Sequence, residues 1–239
     1  WISTDRGLTK YDGSEFLTYN FFGRADNGSV EIIPKLIFDQ QGRLIISGIV
    51  TGVYRLDITL GLVEHFQTEK GFIRMELDAE EKLWGANGGL YFLDLERSVI
   101  SEIGLQTGEV MPATFGIQKD SKGNLWIGLA RRIGIMDSAH KSIRFIGEKE
   151  GLDLQTAYEF TEDPKGTMWI SAFSPDAFSV NLENHTIQRL GPDQGYFGRT
   201  AAVLLDEKKR LWMISEETVR ILDQEKLTMK KVVTRATTR

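Results

Sequence analysis

Five tryptophans fall in one register of about 40 residues in this chain, with an Ile at the one skipped position, and that spacing restricts the fold more than any other feature of the sequence. Trp84, Trp126, Trp169 and Trp212 follow at steps of 42, 43 and 43 residues; Ile45 lies 39 before Trp84, and Trp1 lies 44 before Ile45. A period of about 40 residues is the signature of a repeat architecture, in which each unit buries its apolar surface against its neighbours. Further columns keep the same register. Six residues before five of these anchors stands an Asp: Asp39, Asp78, Asp120, Asp163 and Asp206. Three before them come Gly42, Glu81, Gly123, Gly166 and Lys209, and one before them Leu44, Leu83, Leu125, Met168 and Leu211. Ten to twelve after the anchors sit Asp12, Asp57, Asp94, Asp137, Asn181 and Asp223.

The local chemistry of these columns predicts strands joined by tight turns. An Asp carboxylate accepts hydrogen bonds from backbone N–H groups two residues on, and Gly supplies a positive φ, so D-x-x-G marks a hairpin connection. The flanking segments are short and rich in Ile, Val, Phe, Leu and Trp, as in Leu125-Trp126-Ile127-Gly128, with no 3.6-residue stripe long enough for a helix. In one unit the strands are expected at 157–163, 167–172, 177–181 and 186–190. Four short antiparallel strands per unit describe a blade of an all-β propeller, and blades packed radially bury both sheet faces, with the tryptophans wedged between neighbours. The expected blades cover approximately 1–20 (partial), 30–67, 72–105, 113–147, 157–190 and 200–233, making five complete blades and three strands of a sixth. The chain opens on Trp1 inside a structural element, so it reads as a piece of something longer: either neighbouring residues supply the missing strand, the favoured expectation, or six blades close imperfectly.

Composition narrows the function. With 29 basic against 34 acidic side chains the net charge is −5, and no Lys/Arg run is long enough to track a phosphate backbone, so nucleic acid is not an expected partner. Apolar stretches such as 44–50 are too short to cross a bilayer, and no signal-peptide pattern is present; no membrane contact is expected in this segment. Zero Cys excludes disulfides and thiolate chemistry.

Gly123-Asn124-Leu125-Trp126-Ile127-Gly128, preceded by Asp120, and the run from Trp1 through Gly7-Leu8 to Tyr11-Asp12 together resemble the two-component regulator propeller repeat, D-x-x-G-x-L-W-I-G-T-x-x-G-L-x-x-Y-D. The resemblance covers the whole chain. Gly28, Gly108, Gly151 and Gly195 also stand eleven or twelve residues before the next repeat Asp, where that family tends to place a Gly. The second unit lacks the Trp, the third has a shortened loop at 70–72, and the fifth has Asp176-Ala177-Phe178 in place of Gly-Leu. NHL repeats share the D-x-x-G hairpin without the recurrent Leu-Trp and are the nearest rival. The resemblance implies a periplasmic or extracellular sensor region of a histidine kinase or hybrid two-component regulator on a bacterial inner membrane. It further implies an oligosaccharide or other small-molecule ligand, contact with the rest of the sensor chain, and a homodimer formed through the full sensor. The alternatives are a structural or dimerisation propeller with ligand bound elsewhere, and an NHL-like lyase or hydrolase.

No catalytic residue, metal site or cofactor is expected. His65, His140 and His185 are the only histidines, and the last two are expected on exposed outer turns. Ten of the fifteen Asp occupy the two repeat columns, where turn closure accounts for them. No nucleophile elbow or phosphate-binding loop appears. Ligand residues are expected instead on the loops that join successive blades or connect the second strand of a blade to its third. Phe21, Phe22 and Arg24 lie on the longest of these; Tyr196, Phe197 and Arg199 form a second aromatic and Arg group, and Arg131 and Arg132 a third. Aromatic rings stack on sugar faces and Arg binds carboxylate or sulfate bidentately, but the aromatics equally suit a role as plugs that hold a loop to the core.

Overall fold

The structure, a computed structural model, describes residues 1–4, 7–19, 35–68, 71–104, 111–196, 200–215 and 218–234. It is all-β, and the described residues outside strands form turns and two single 3₁₀ turns at Glu148–Glu150 and Pro192–Gln194. Two compact units divide the chain, Trp1–Ala113 and Thr114–Arg239.

The first unit holds three antiparallel sheets. One has three strands, β1 (Ile2–Thr4), β2 (Gly7–Tyr11) and β3 (Phe16–Tyr19). The next pairs β4 (Lys35–Phe38), β5 (Leu44–Gly48), β6 (Gly52–Asp57) and β7 (Leu62–Phe66) in sequence order. The third does the same with β8 (Arg74–Leu77), β9 (Leu83–Ala86), β10 (Leu90–Asp94) and β11 (Val99–Glu102). The second unit repeats the pattern three times. Its sheets are β12 (Thr114–Lys119), β13 (Leu125–Leu129), β14 (Arg132–Met136), β15 (Ile143–Gly147); β16 (Thr156–Glu162), β17 (Thr167–Phe173), β18 (Ala177–Asn181), β19 (Ile187–Leu190); and β20 (Thr200–Leu205), β21 (Leu211–Ser215), β22 (Thr218–Asp223), β23 (Thr228–Thr234). The four strands expected in the fifth blade are those observed, to within one residue at each end.

Each core lies between the faces of consecutive blades, as the apolar second strands require. Trp126, Ile133 and Ile146 of the fourth blade pack with Phe160, Met168 and Ile170 of the fifth; Trp169 packs with Val203, Leu211 and Met213 of the sixth. Ile45, which replaces a tryptophan, packs with Phe72 and Met75 of the third blade. A ring of ~200 Å² removed from water at ~25 cal/mol/Å² contributes about 5 kcal/mol before entropy losses, so each anchor is a major term in joining two blades.

Backbone approaches complete the seams. Ser47 and Ser171, each two residues after an anchor, accept hydrogen bonds through Oγ from the following blade: from Phe72 N (2.6 Å), just before β8, and from Val203 N (3.1 Å), on β20. Gly128 fills that position in the fourth blade, and a Cβ there would stand 2.3 Å from the Ala157 carbonyl oxygen. On the first strands β12, β16 and β20 the register slips by one residue at Phe115, Tyr158 and Ala201, a bulge repeated at the same place in three blades.

Candidate ligand-binding surface

The repeated carboxylates are committed to structure. In four blades the anchor indole donates to the Asp six residues earlier: Trp84, Trp126, Trp169 and Trp212 Nε1 lie 2.8 to 2.9 Å from Oδ2 of Asp78, Asp120, Asp163 and Asp206. The other oxygen accepts backbone N–H groups of the hairpin, Lys122 N and Asn124 N on Asp120 for example. Where Ile45 has no donor, Arg43 Nε takes its place on Asp39 Oδ2 at 2.6 Å. The residue three after each Asp is left-handed whatever its type: Gly42, Glu81, Gly123, Gly166 and Lys209 have φ between 60° and 83°.

The second column caps the turn between third and fourth strands, where Oδ1 of Asp12, Asp57, Asp94, Asn181 and Asp223 accepts the next N–H groups. Hydrogen bonds to the charged form hold Asp12 down to about 2, chiefly from Glu15 N; Asp137 to about 2, chiefly from the Ser142 hydroxyl; and Asp206 to about 2, chiefly from the Trp212 indole. Carboxylates this acidic stay ionised at neutral pH and are poorly matched to proton transfer there.

His140 and His185 do sit on turns, with left-handed φ of 57° and 56°, but both are half-buried rather than exposed. His185 Nδ1 lies 2.7 Å from Arg144 Nη1 of the preceding blade; burial first, then Arg144 and Lys122, push its pKa down. His65 is on β7, its ring stacked on Tyr54. Among the described residues no group of three or more His, Cys, Asp and Glu is placed to hold a metal ion, and no described helix is long and apolar enough to cross a membrane.

Of the residues singled out in the sequence, Phe21, Phe22, Arg24, Phe197 and Arg199 lie outside the described residues. Tyr196 is 1% exposed and packs in the core beside Trp169 and Val203, so its ring plugs the loop after Gly195. Arg132 opens β14 and lays its guanidinium over Phe145, 4.4 Å from the ring centre. Arg131 projects from the turn between β13 and β14 with its side chain 79% exposed. Ile73, Phe115 and Tyr158, outside the residues singled out in the sequence, share one column five residues before a repeat Asp. Ile73 and Phe115 are exposed and Tyr158 half-buried, and an apolar column that faces water was the available signal.

No family model matches the chain, and no curated protein matches it by sequence. Solved structures do match. The extracellular domain of BT4673 from B. thetaiotaomicron, assigned as a hybrid two-component system, superposes on 99% of this chain with a TM-score of 0.77 at 14% identity, over 32% of its own length. That of BT3049 from the same organism, also assigned as a hybrid two-component system, matches 97% of this chain with a TM-score of 0.73 at 18% identity, over 33% of its length. PorZ of Porphyromonas gingivalis, a surface component of the type-IX secretion system, matches 88% with a TM-score of 0.67 at 12% identity, over 35% of its length. The blade fold is shared. The chain thus spans about a third of the length of the structures it matches.

Proposed function

We propose that this chain is a non-enzymatic sensing propeller on the extracellular or periplasmic side of a two-component system, that it detects an oligosaccharide, and that the bound ligand shifts the subunit arrangement controlling kinase output. The observation that carries the reading is the superposition of nearly the whole chain on extracellular domains assigned to hybrid two-component systems. The commitment of the repeat carboxylates to indole and backbone donors agrees with it, since it leaves those groups to structure. Calorimetric titration of the intact ectodomain with an oligosaccharide library tests the proposal. Saturable binding of one glycan without turnover is expected; glycan cleavage by this chain, with no binding by the ectodomain, overturns it.

The match to PorZ supports a second reading, a structural propeller within a surface assembly. Under that reading, removal of the blades dissociates a complex and no glycan alters transcription.

A further inference from the structure

Three aromatic side chains in the second unit meet water where a folded β-structure would ordinarily hide them. Phe115 occupies the bulge of β12 and is 39% exposed; Phe173, at the end of β17, is 44% exposed. Tyr158 occupies the matching bulge of β16, and its ring is tilted against Phe173 with centres 5.6 Å apart. The two bulges adjoin, because a Cβ on Gly116 would stand 2.7 Å from the Tyr158 carbonyl. A bulge re-aims the side chain it carries, and these two lie on the first strands of adjoining blades.

Arg131 is fastened to the same place. Its N donates to the Gln155 carbonyl at 2.8 Å, Gln155 N donates to the Phe173 carbonyl at 2.9 Å, and Ala130 bridges Thr156. This clamp holds Arg131 at φ 62°, a left-handed conformation that costs a non-glycine residue about 1–2 kcal/mol. Its guanidinium stands 3.8 Å from Glu148, a separation too long for a hydrogen bond, and both side chains are largely exposed.

We infer that Phe115, Tyr158 and Phe173 form a platform for a neutral hexose oligosaccharide, with Arg131 and Glu148 reading its hydroxyls. The ligand class rests on the sensor reading above; the place rests on the geometry. Pyranose rings offer apolar C–H faces to aromatic rings, and a hydroxyl, being donor and acceptor at once, bridges a guanidinium to a carboxylate. Arg131 and Glu148 carry opposite charges, and the chain as a whole has a net charge of −5, which disfavours a polyanionic sugar.

The test titrates the intact ectodomain with maltohexaose, cellohexaose and mannohexaose, and with hexagalacturonate as the acidic counterpart. One neutral sugar is expected to bind, with Phe115→Leu, Phe173→Leu and Arg131→Gln each weakening it about tenfold or more. Phe→Leu keeps apolar volume, so melting temperature should hold, and Phe16→Ala, in the first unit, serves as the control that leaves affinity unchanged. Binding undiminished by the three substitutions, binding of hexagalacturonate alone, or binding of none of the four sugars overturns the site. Glycan-induced transcription through the intact sensor, measured in the same variants, separates the two readings. Induction that survives all three substitutions removes the platform and leaves the sensor, whereas induction by no glycan removes the sensor reading itself.

Discussion

At the scale of single residues, the joint period of Asp and Trp has one cause: the indole N–H and the carboxylate are partners. A buried donor or acceptor left unmade costs about 1–3 kcal/mol, and a large-to-small change in the core adds a cavity term. Trp126 is fully buried, and without it Asp120 Oδ2 retains Asn124 Nδ2 at 3.0 Å; Trp212 is half-buried, and Asp206 Oδ2 retains the charged Arg210 Nε at 2.6 Å. Trp126→Phe should therefore destabilise by about 2–4 kcal/mol in urea unfolding and Trp212→Phe by about half that; equal losses would show that burial and the remaining partner of the carboxylate do not set the cost. The glycine column makes a second prediction. Lys209 is exposed at φ 60°, so Lys209→Gly should gain about 0.5–1 kcal/mol, the relieved left-handed strain less the added chain entropy. Glu81→Gly should gain nothing, because the Glu81 carboxylate accepts Gln40 N of the preceding blade. A destabilised Lys209→Gly protein in the same urea assay would contradict the assignment.

At the scale of elements, the seam between blades is served at one position by different means. Ser47 and Ser171 give an acceptor to the next blade at or just before its first strand, whereas Gly128 gives room for the Ala157 carbonyl. Ser171 is wholly buried, so Ser171→Ala leaves Val203 N without this partner and should cost about 1–3 kcal/mol in denaturant unfolding. An unchanged midpoint would mean that another acceptor takes over. This seam was not legible in the sequence, because Ser47, Ala86, Gly128, Ser171 and Ile214 form no recognisable column. The strands were legible, since an Asp, a left-handed turn residue and an apolar anchor each impose a local geometry that survives any context. The bulges at Phe115, Tyr158 and Ala201 were not, because a one-residue slip changes pairing without changing residue type. The surface aromatics were not legible either, because they lie inside strands, where an apolar residue reads as core; of the loop candidates, Tyr196 is core and Arg131 exposed.

At the scale of the whole molecule, repetition multiplies each local device, and the turn carboxylates show it most directly through pH. Asp12, Asp137 and Asp206 are held at about 2 by hydrogen bonds to the ionised form, and the same bonding lowers Asp94 and Asp223. An unfolded carboxyl titrates near 3.8, so between about pH 4 and pH 2 the unfolded chain takes up protons that the folded chain refuses. The stability these groups contribute is complete above pH 4 and lost as pH falls through 2, so the melting temperature should drop steeply in that interval. Asp12→Asn isolates one contribution. All three hydrogen bonds from Ser14 N, Ser14 Oγ and Glu15 N reach Oδ1, and Asn181 fills the equivalent turn with an amide oxygen, so the asparagine keeps the turn and loses the charge and its titration. The variant should lie below the wild type at pH 6, where an ionised acceptor is the stronger one, and should lose less stability on going to pH 2.5. Parallel melting curves of the two proteins across that range would show that the Asp12 turn carries no charge-assisted bond, and with it the account of why this column favours Asp.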